Sequence, residues 1–159
     1  RYLDFLKSDL TIDEYLAQNV ARSPAAKEDL QQIETKGVEM AQIYNLRMYD
    51  SSGREIDEII HGQKVVLKVG YVVADESIPN PILGVAIRRI DNEYICGLNT
   101  KLDNVSIPWK KGYNEVTLTY PGFNLMGGEY YFDVGIFDRT GIVNLDYRAK
   151  IKSYFVKMV

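Results

Sequence analysis

From Gly37 onward the apolar residues of this chain recur with a period of two. Val65, Leu67, Val69, Tyr71 and Val73 are interleaved with Lys64, Val66, Lys68, Gly70 and Val72. Leu83, Val85 and Ile87 alternate with Gly84, Ala86 and Arg88; Val116, Leu118 and Tyr120 with Glu115, Thr117 and Thr119; Tyr130, Phe132, Val134 and Ile136 with Tyr131, Asp133, Gly135 and Phe137. An extended backbone sends successive side chains to opposite faces, so each run predicts a strand with one face inward. Turn formers stand between the runs at Asp50-Ser51-Ser52-Gly53, Asp91-Asn92, Gly127-Gly128 and Asp138-Arg139-Thr140-Gly141. Ile78-Pro79-Asn80-Pro81 cannot sit in a central strand and predicts a loop. Seven or eight short strands at regular spacing predict an all-β fold, an immunoglobulin-like antiparallel β-sandwich over residues 37–159.

Residues 1–36 read as a helical leader. Thr11-Ile12-Asp13-Glu14 has the form of a capping box, with Ile12, Tyr15, Leu16 and Val20 at helical spacing behind it. Ser23-Pro24 is a second start signal, Ala26, Leu30 and Ile33 form a thin apolar stripe, and Gly37 is placed to end it. Two such short helices would need to dock on something else. The chain begins at Arg1, which reads as a piece of a longer protein.

Several chemistries find little support. A net charge of -3 gives no electrostatic reason to seek phosphate backbones, so nucleic acid is not an expected partner. A single cysteine, Cys96, allows no internal disulfide and no cysteine metal cage, and suits a reducing compartment. No apolar run of membrane-spanning length and no signal peptide is visible. Phosphate-binding glycine loops and a nucleophile elbow are missing, and the lone histidine, His61, sits in a turn-like Ile60-His61-Gly62-Gln63. Asp133, Asp138 and Asp146 could supply a glycosidase acid pair, but nothing fixes two of them at the required separation. Asp138, Asn144 and Asp146 match no EF-hand spacing. Neither catalysis, nor a metal, nor a cofactor is expected.

Twelve Tyr, five Phe and one Trp are compatible with gripping sugar rings, and equally with a plain β-protein, since tyrosine favours strands. Alternation says more. If Val85, Ile87, Phe132 and Val134 face the core, then Gly84, Ala86 and Arg88 of one strand, and Tyr131, Asp133, Gly135 and Phe137 of the other, face away. In an immunoglobulin-like order these strands are neighbours in one sheet. Their outer face is then either a sugar groove with a small-residue floor, or the seat of an ordinary Arg88–Asp133 ion pair. Trp109, in the loop-like Ile107-Pro108-Trp109-Lys110-Lys111-Gly112, is either a stacking platform or a lid on the core.

The order of these features resembles the C-terminal domain of Wzt, the ATPase subunit of ABC transporters that export O-antigen polysaccharide. The resemblance spans about residues 38–159. It rests on Tyr49-Asp50-Ser51-Ser52-Gly53, on the run from Gly62 to Tyr71 (GQKVVLKVGY) and on that from Pro79 to Arg88 (PNPILGVAIR). Ile95-Cys96-Gly97-Leu98-Asn99-Thr100, the run from Leu125 to Ile136 (LMGGEYYFDVGI) and Phe155-Val156 complete it. The resemblance implies a non-catalytic domain that recognises finished O-polysaccharide in the cytoplasm, beside the inner membrane through its transporter. It also implies a homodimer, in some members with exchanged terminal strands, an upstream ATPase domain and a membrane transporter subunit. The rival expectation is a structural dimerisation or docking domain with no glycan contact. Candidate carbohydrate contacts are Arg88, Tyr131, Asp133, Phe137, Asn99 and Trp109, with Asn99 and Thr100 open to a turn-stabilising role instead.

Overall fold

The computed structural model describes residues 40–159; the expected helical leader lies outside them. Eight strands follow in chain order: β1 (Ala41–Tyr49), β2 (Glu58–Ile60), β3 (Val65–Val73), β4 (Ile82–Arg89), β5 (Tyr94–Asn99), β6 (Gly112–Tyr120), β7 (Gly128–Phe137) and β8 (Asn144–Lys157). They form a three-stranded sheet, β1-β3-β6, and a five-stranded sheet, β2-β8-β7-β4-β5. All ladders are antiparallel except the short β2–β8 pair, which is parallel. That exception is sterically open to β2 because most of the chain separates it from β8, leaving ample length for a crossover.

The predicted inward faces are the core. Val65, Leu67, Val69, Tyr71 and Val73 of β3 are fully buried, and Val116, Leu118 and Tyr120 of β6 join them from the same sheet. Leu83, Val85 and Ile87 of β4 and Phe132, Val134 and Ile136 of β7 come from the other. Rings close one end: Phe132 stacks on Tyr154 at 4.6 Å between centroids, and Phe123 meets Tyr120 edge-on at 5.3 Å.

The turns form where the sequence places them. Asp50 Oδ1 accepts the Ser52 and Arg54 amides at 2.9 and 3.0 Å, and Gly53 takes a left-handed φ of 85° that a side chain would resist. Asp138 Oδ1 likewise accepts the Thr140 amide at 3.0 Å. Across the seam between the sheets, the Ile43 amide of β1 donates to Asp146 Oδ2 of β8 at 2.7 Å. Asp138 and Asp146 therefore serve backbone amides, while His61 Nδ1 lies 2.7 Å from the Leu125 carbonyl oxygen and ties two loops. Among the described residues no helix is long and apolar enough to cross a membrane.

Candidate functional site

Strands β4 and β7 are neighbours, and their register pairs Gly84 with Gly135, Ala86 with Asp133 and Arg88 with Tyr131. On the far side of β4, Gly84 pairs with Asn99 and Ala86 with Gly97 of β5. Since their in-between partners point into the core, these residues share the outer face of the five-stranded sheet. Two adjacent rows result. One runs Gly97, Ala86, Asp133; the other runs Asn99, Gly84, Gly135 and on to Tyr147 of β8.

Asp133 is the organising group. It is 3% exposed although it points away from the core. A carboxylate can only accept, and three donors converge on its two oxygens. Arg88 Nε donates to Oδ2 at 3.0 Å, Tyr147 Oη donates to Oδ2 at 2.6 Å, and the Lys150 amide donates to Oδ1 at 2.9 Å. The last contact requires a bulge in β8. Pairing steps from Phe132–Lys152 to Val134–Arg148, which leaves residues 149–151 opposite Asp133, and Lys150 takes a left-handed φ of 53°. The hydrogen bond to Asp133 raises the Arg88 pKa, so that side chain stays cationic. Burial, then the Asp133 bond and charge, push the Tyr147 phenol up to about 12.

Aromatic rings rise around the small residues. Phe137 lies over the two glycines of its row: a β-carbon on Gly135 would fall 2.6 Å from its ring, and one on Gly84 would fall 3.5 Å away. Tyr147 also borders Gly135, at 3.0 Å from that same position. On the other side a β-carbon on Gly97 would meet the Tyr94 hydroxyl at 2.6 Å. The Arg88 guanidinium sits 5.5 Å from the Tyr94 ring centroid. Tyr94 and Tyr147 are 54% and 40% exposed. The face is a shallow floor of half-buried Gly84, Ala86 and Gly97, bordered by three rings and a fixed guanidinium, with Gly135 buried beneath Phe137 and Tyr147.

Five of the six sequence-nominated residues come together here, in different capacities. Arg88 and Phe137 border the floor. Asp133 lies beneath, holding Arg88 and Tyr147. Tyr131 is 1% exposed, covered by the Lys150 ammonium 5.0 Å from its ring, and its hydroxyl donates to Asn92 Oδ1. Asn99 ends the second row, its Oδ1 accepting the Lys101 amide at 2.8 Å. Thr100 is buried, and its Oγ1 accepts the Leu83 amide at 3.0 Å. Trp109 stands elsewhere. Its ring packs on Tyr71 with centroids 6.1 Å apart, Nε1 donates to the Asp75 carbonyl at 3.0 Å, and it lines a separate cleft at the end of the sheet.

Tyr94, Gly97, Tyr147 and Lys150 escape a reading by alternation. Two irregularities hide them, the β8 bulge and a register shift in the β4–β5 ladder between Ile87 and Arg88. The one sequence cue is Gly97, a small residue in the middle of an otherwise apolar strand.

Comparison with known proteins agrees with this architecture. The family model for the Wzt C-terminal domain matches residues 33–155. A crystal structure of the C-terminal domain of Wzt superposes with a TM-score of 0.65 at 18% identity, over 74% of this chain and 73% of that one. A Niemann-Pick type C2 protein from Japanese carpenter ant reaches a TM-score of 0.50 at 12% identity, over 79% and 98% of the two chains. At these identities the solved structures speak for the fold alone. No curated protein sequence matches the chain. With most of the β-sandwich inside the matched span, the chain belongs to the Wzt C-terminal domain family.

Proposed function

We infer that the outer face of the five-stranded sheet binds a polysaccharide without turning it over, and that the domain recognises O-antigen for export by an ABC transporter. The observation that carries this reading is the small-residue floor walled by Tyr94, Phe137 and Tyr147, with Arg88 held in place by buried Asp133. A pyranose has an apolar C–H face and a rim of hydroxyls. The rings suit the first; the Arg88 donors not used on Asp133 and the Asn92 carbonyl, and the amide of Asn99, suit the second. A shallow, open face accommodates a polymer that continues at both ends. Family membership supports the same reading, together with an upstream ATPase domain, a membrane transporter subunit and a homodimeric assembly in the cytoplasm beside the inner membrane. Asp133 is committed to three donors, which disfavours it as a proton-transfer acid.

The test is calorimetric titration with the O-polysaccharide of the source strain. Binding with a Kd between about 1 mM and 1 μM is expected, weakened about tenfold or more by Tyr147→Ala, with no release of reducing ends. Silence from a folded domain across matched glycans would count against it.

A dimerisation or docking role without glycan contact is the second reading. Exposed Ile60 and Phe155, on the paired strands β2 and β8, favour it. It predicts that Phe155→Ser changes sedimentation while the glycan titration stays silent.

A further inference from the structure

We propose that the cleft beside Trp109 is a second carbohydrate subsite, which takes a sugar unit carrying an anionic substituent. This rests on the reading of the domain as a glycan binder and adds a charge preference to it. The cleft has a volume of about 460 Å³, within the roughly 300–1,000 Å³ usual for small-ligand sites. It opens at the end of the sheet where the floor stops. Ile82 lines it and pairs with Phe137; Lys101 and Arg139 line it two residues beyond Asn99 and Phe137. A polymer leaving the floor past Phe137 and Asn99 therefore arrives between Lys101 and Arg139.

The lining has the parts such a ligand needs. Trp109 is immobilised on one side by Tyr71, whose own hydroxyl donates to the Pro108 carbonyl, and by its Nε1 bond to Asp75. A ring fixed in this way offers its remaining surface at little entropic cost. Asn80 and Asn104 add amides from left-handed backbone positions, φ 46° and 54°. Charge separates the cleft from the floor. On the floor Arg88 is neutralised by Asp133. In the cleft Lys101 and Arg139 are exposed, and among the described residues neither has a carboxylate within ion-pair distance. The acid of the lining, Glu76, accepts the Lys111 amide at 3.2 Å. Among the described residues the lining thus sets two cations against one acid, in a chain whose net charge is -3.

Trp109 is the chain's sole tryptophan, so its fluorescence reports on the cleft and not on the floor. The experiment titrates the chain with glucuronate, glucose 6-phosphate and neutral glucose at matched ionic strength. A saturable change with either anionic sugar, at least about tenfold tighter than with glucose, is expected. Which of the two binds identifies the substituent as carboxylate or phosphate. The Lys101→Ala/Arg139→Ala variant, shown folded by circular dichroism, should lose that preference, whereas Tyr147→Ala should keep it. Equal affinity for glucose, an unchanged preference in the double variant, or no response to any of the three sugars overturns the proposal. A cleft response with a silent polysaccharide titration would instead isolate the fault in the floor.

Discussion

At Asp133 a side chain that alternation sends outward is nevertheless buried, because two other side chains and a bulged backbone amide close over it. An amide cannot replace this carboxylate: Asn has one accepting atom where two oxygens serve three donors, and its NH₂ would face one of them. Asp133→Ala should cost about 1–3 kcal/mol, the usual penalty for leaving a buried donor unmatched, read as a lower denaturant midpoint. Asp133→Asn should recover little of it. In either variant the Tyr147 phenol should titrate below its present value of about 12, since the carboxylate that opposes its ionisation is gone. An alkaline absorbance titration checks this. If the Tyr147 pKa stays put while stability falls, Asp133 has been misassigned as the group that positions the ring. The same residue marks how far the sequence could be read. Its face follows from alternation, and Arg88 as a possible partner from alternation with an immunoglobulin-like strand order, but its burial depends on the β8 bulge, which no local signal announces.

For the strands, the floor depends on what is not there. A β-carbon on Gly84 would find ordinary contact distance, 3.5 Å from Phe137, whereas one on Gly135 would be driven to 2.6 Å from the same ring. Gly84→Ala should therefore leave the unfolding midpoint nearly unchanged and still weaken polysaccharide binding, because the methyl group stands in the trough. Gly135→Ala should destabilise by roughly 1–3 kcal/mol as Phe137 and Tyr147 are displaced. Urea unfolding and glycan titration on both variants separate these outcomes, and equal destabilisation by the two would mean the rings do not lie over the glycines as described. Four strands were legible from period two because each carries a clean inward set. β8 was not: along its fourteen residues the positions paired with inward-facing β7 residues include Asp146, Arg148 and Lys152, so no apolar alternation marks the strand. β2 was hidden for a simpler reason, since three residues show no period.

Several tyrosines, in the core between the two unequal sheets and on the outer faces, carry hydroxyls partly or wholly withdrawn from water, and that has a consequence for pH. Burial raises the phenols of Tyr71, Tyr113, Tyr147 and Tyr154 above their ordinary value. In the unfolded chain these groups lose protons near pH ~10; in the folded protein they keep them, to about 12 at Tyr147. Between these limits the folded state binds more protons, so stability is fully present below pH ~10 and falls as pH rises beyond it. Guanidinium midpoints measured upward from pH 9 should hold steady and then drop, and a flat profile would contradict the burial of these hydroxyls. The sandwich itself was legible at this scale because turn chemistry and strand period agree throughout. The Trp109 cleft was not, since it is assembled from three loops whose meeting no periodicity encodes.

Asp146 and Tyr147 are consecutive, yet they serve different parts of the molecule: one grips the Ile43 amide of β1, the other walls the floor. A single peptide unit thus couples the joint between the layers to the surface where a ligand would rest. A displaced Tyr147 ring would therefore strain the peptide unit whose other side chain holds the Ile43 amide near the start of β1.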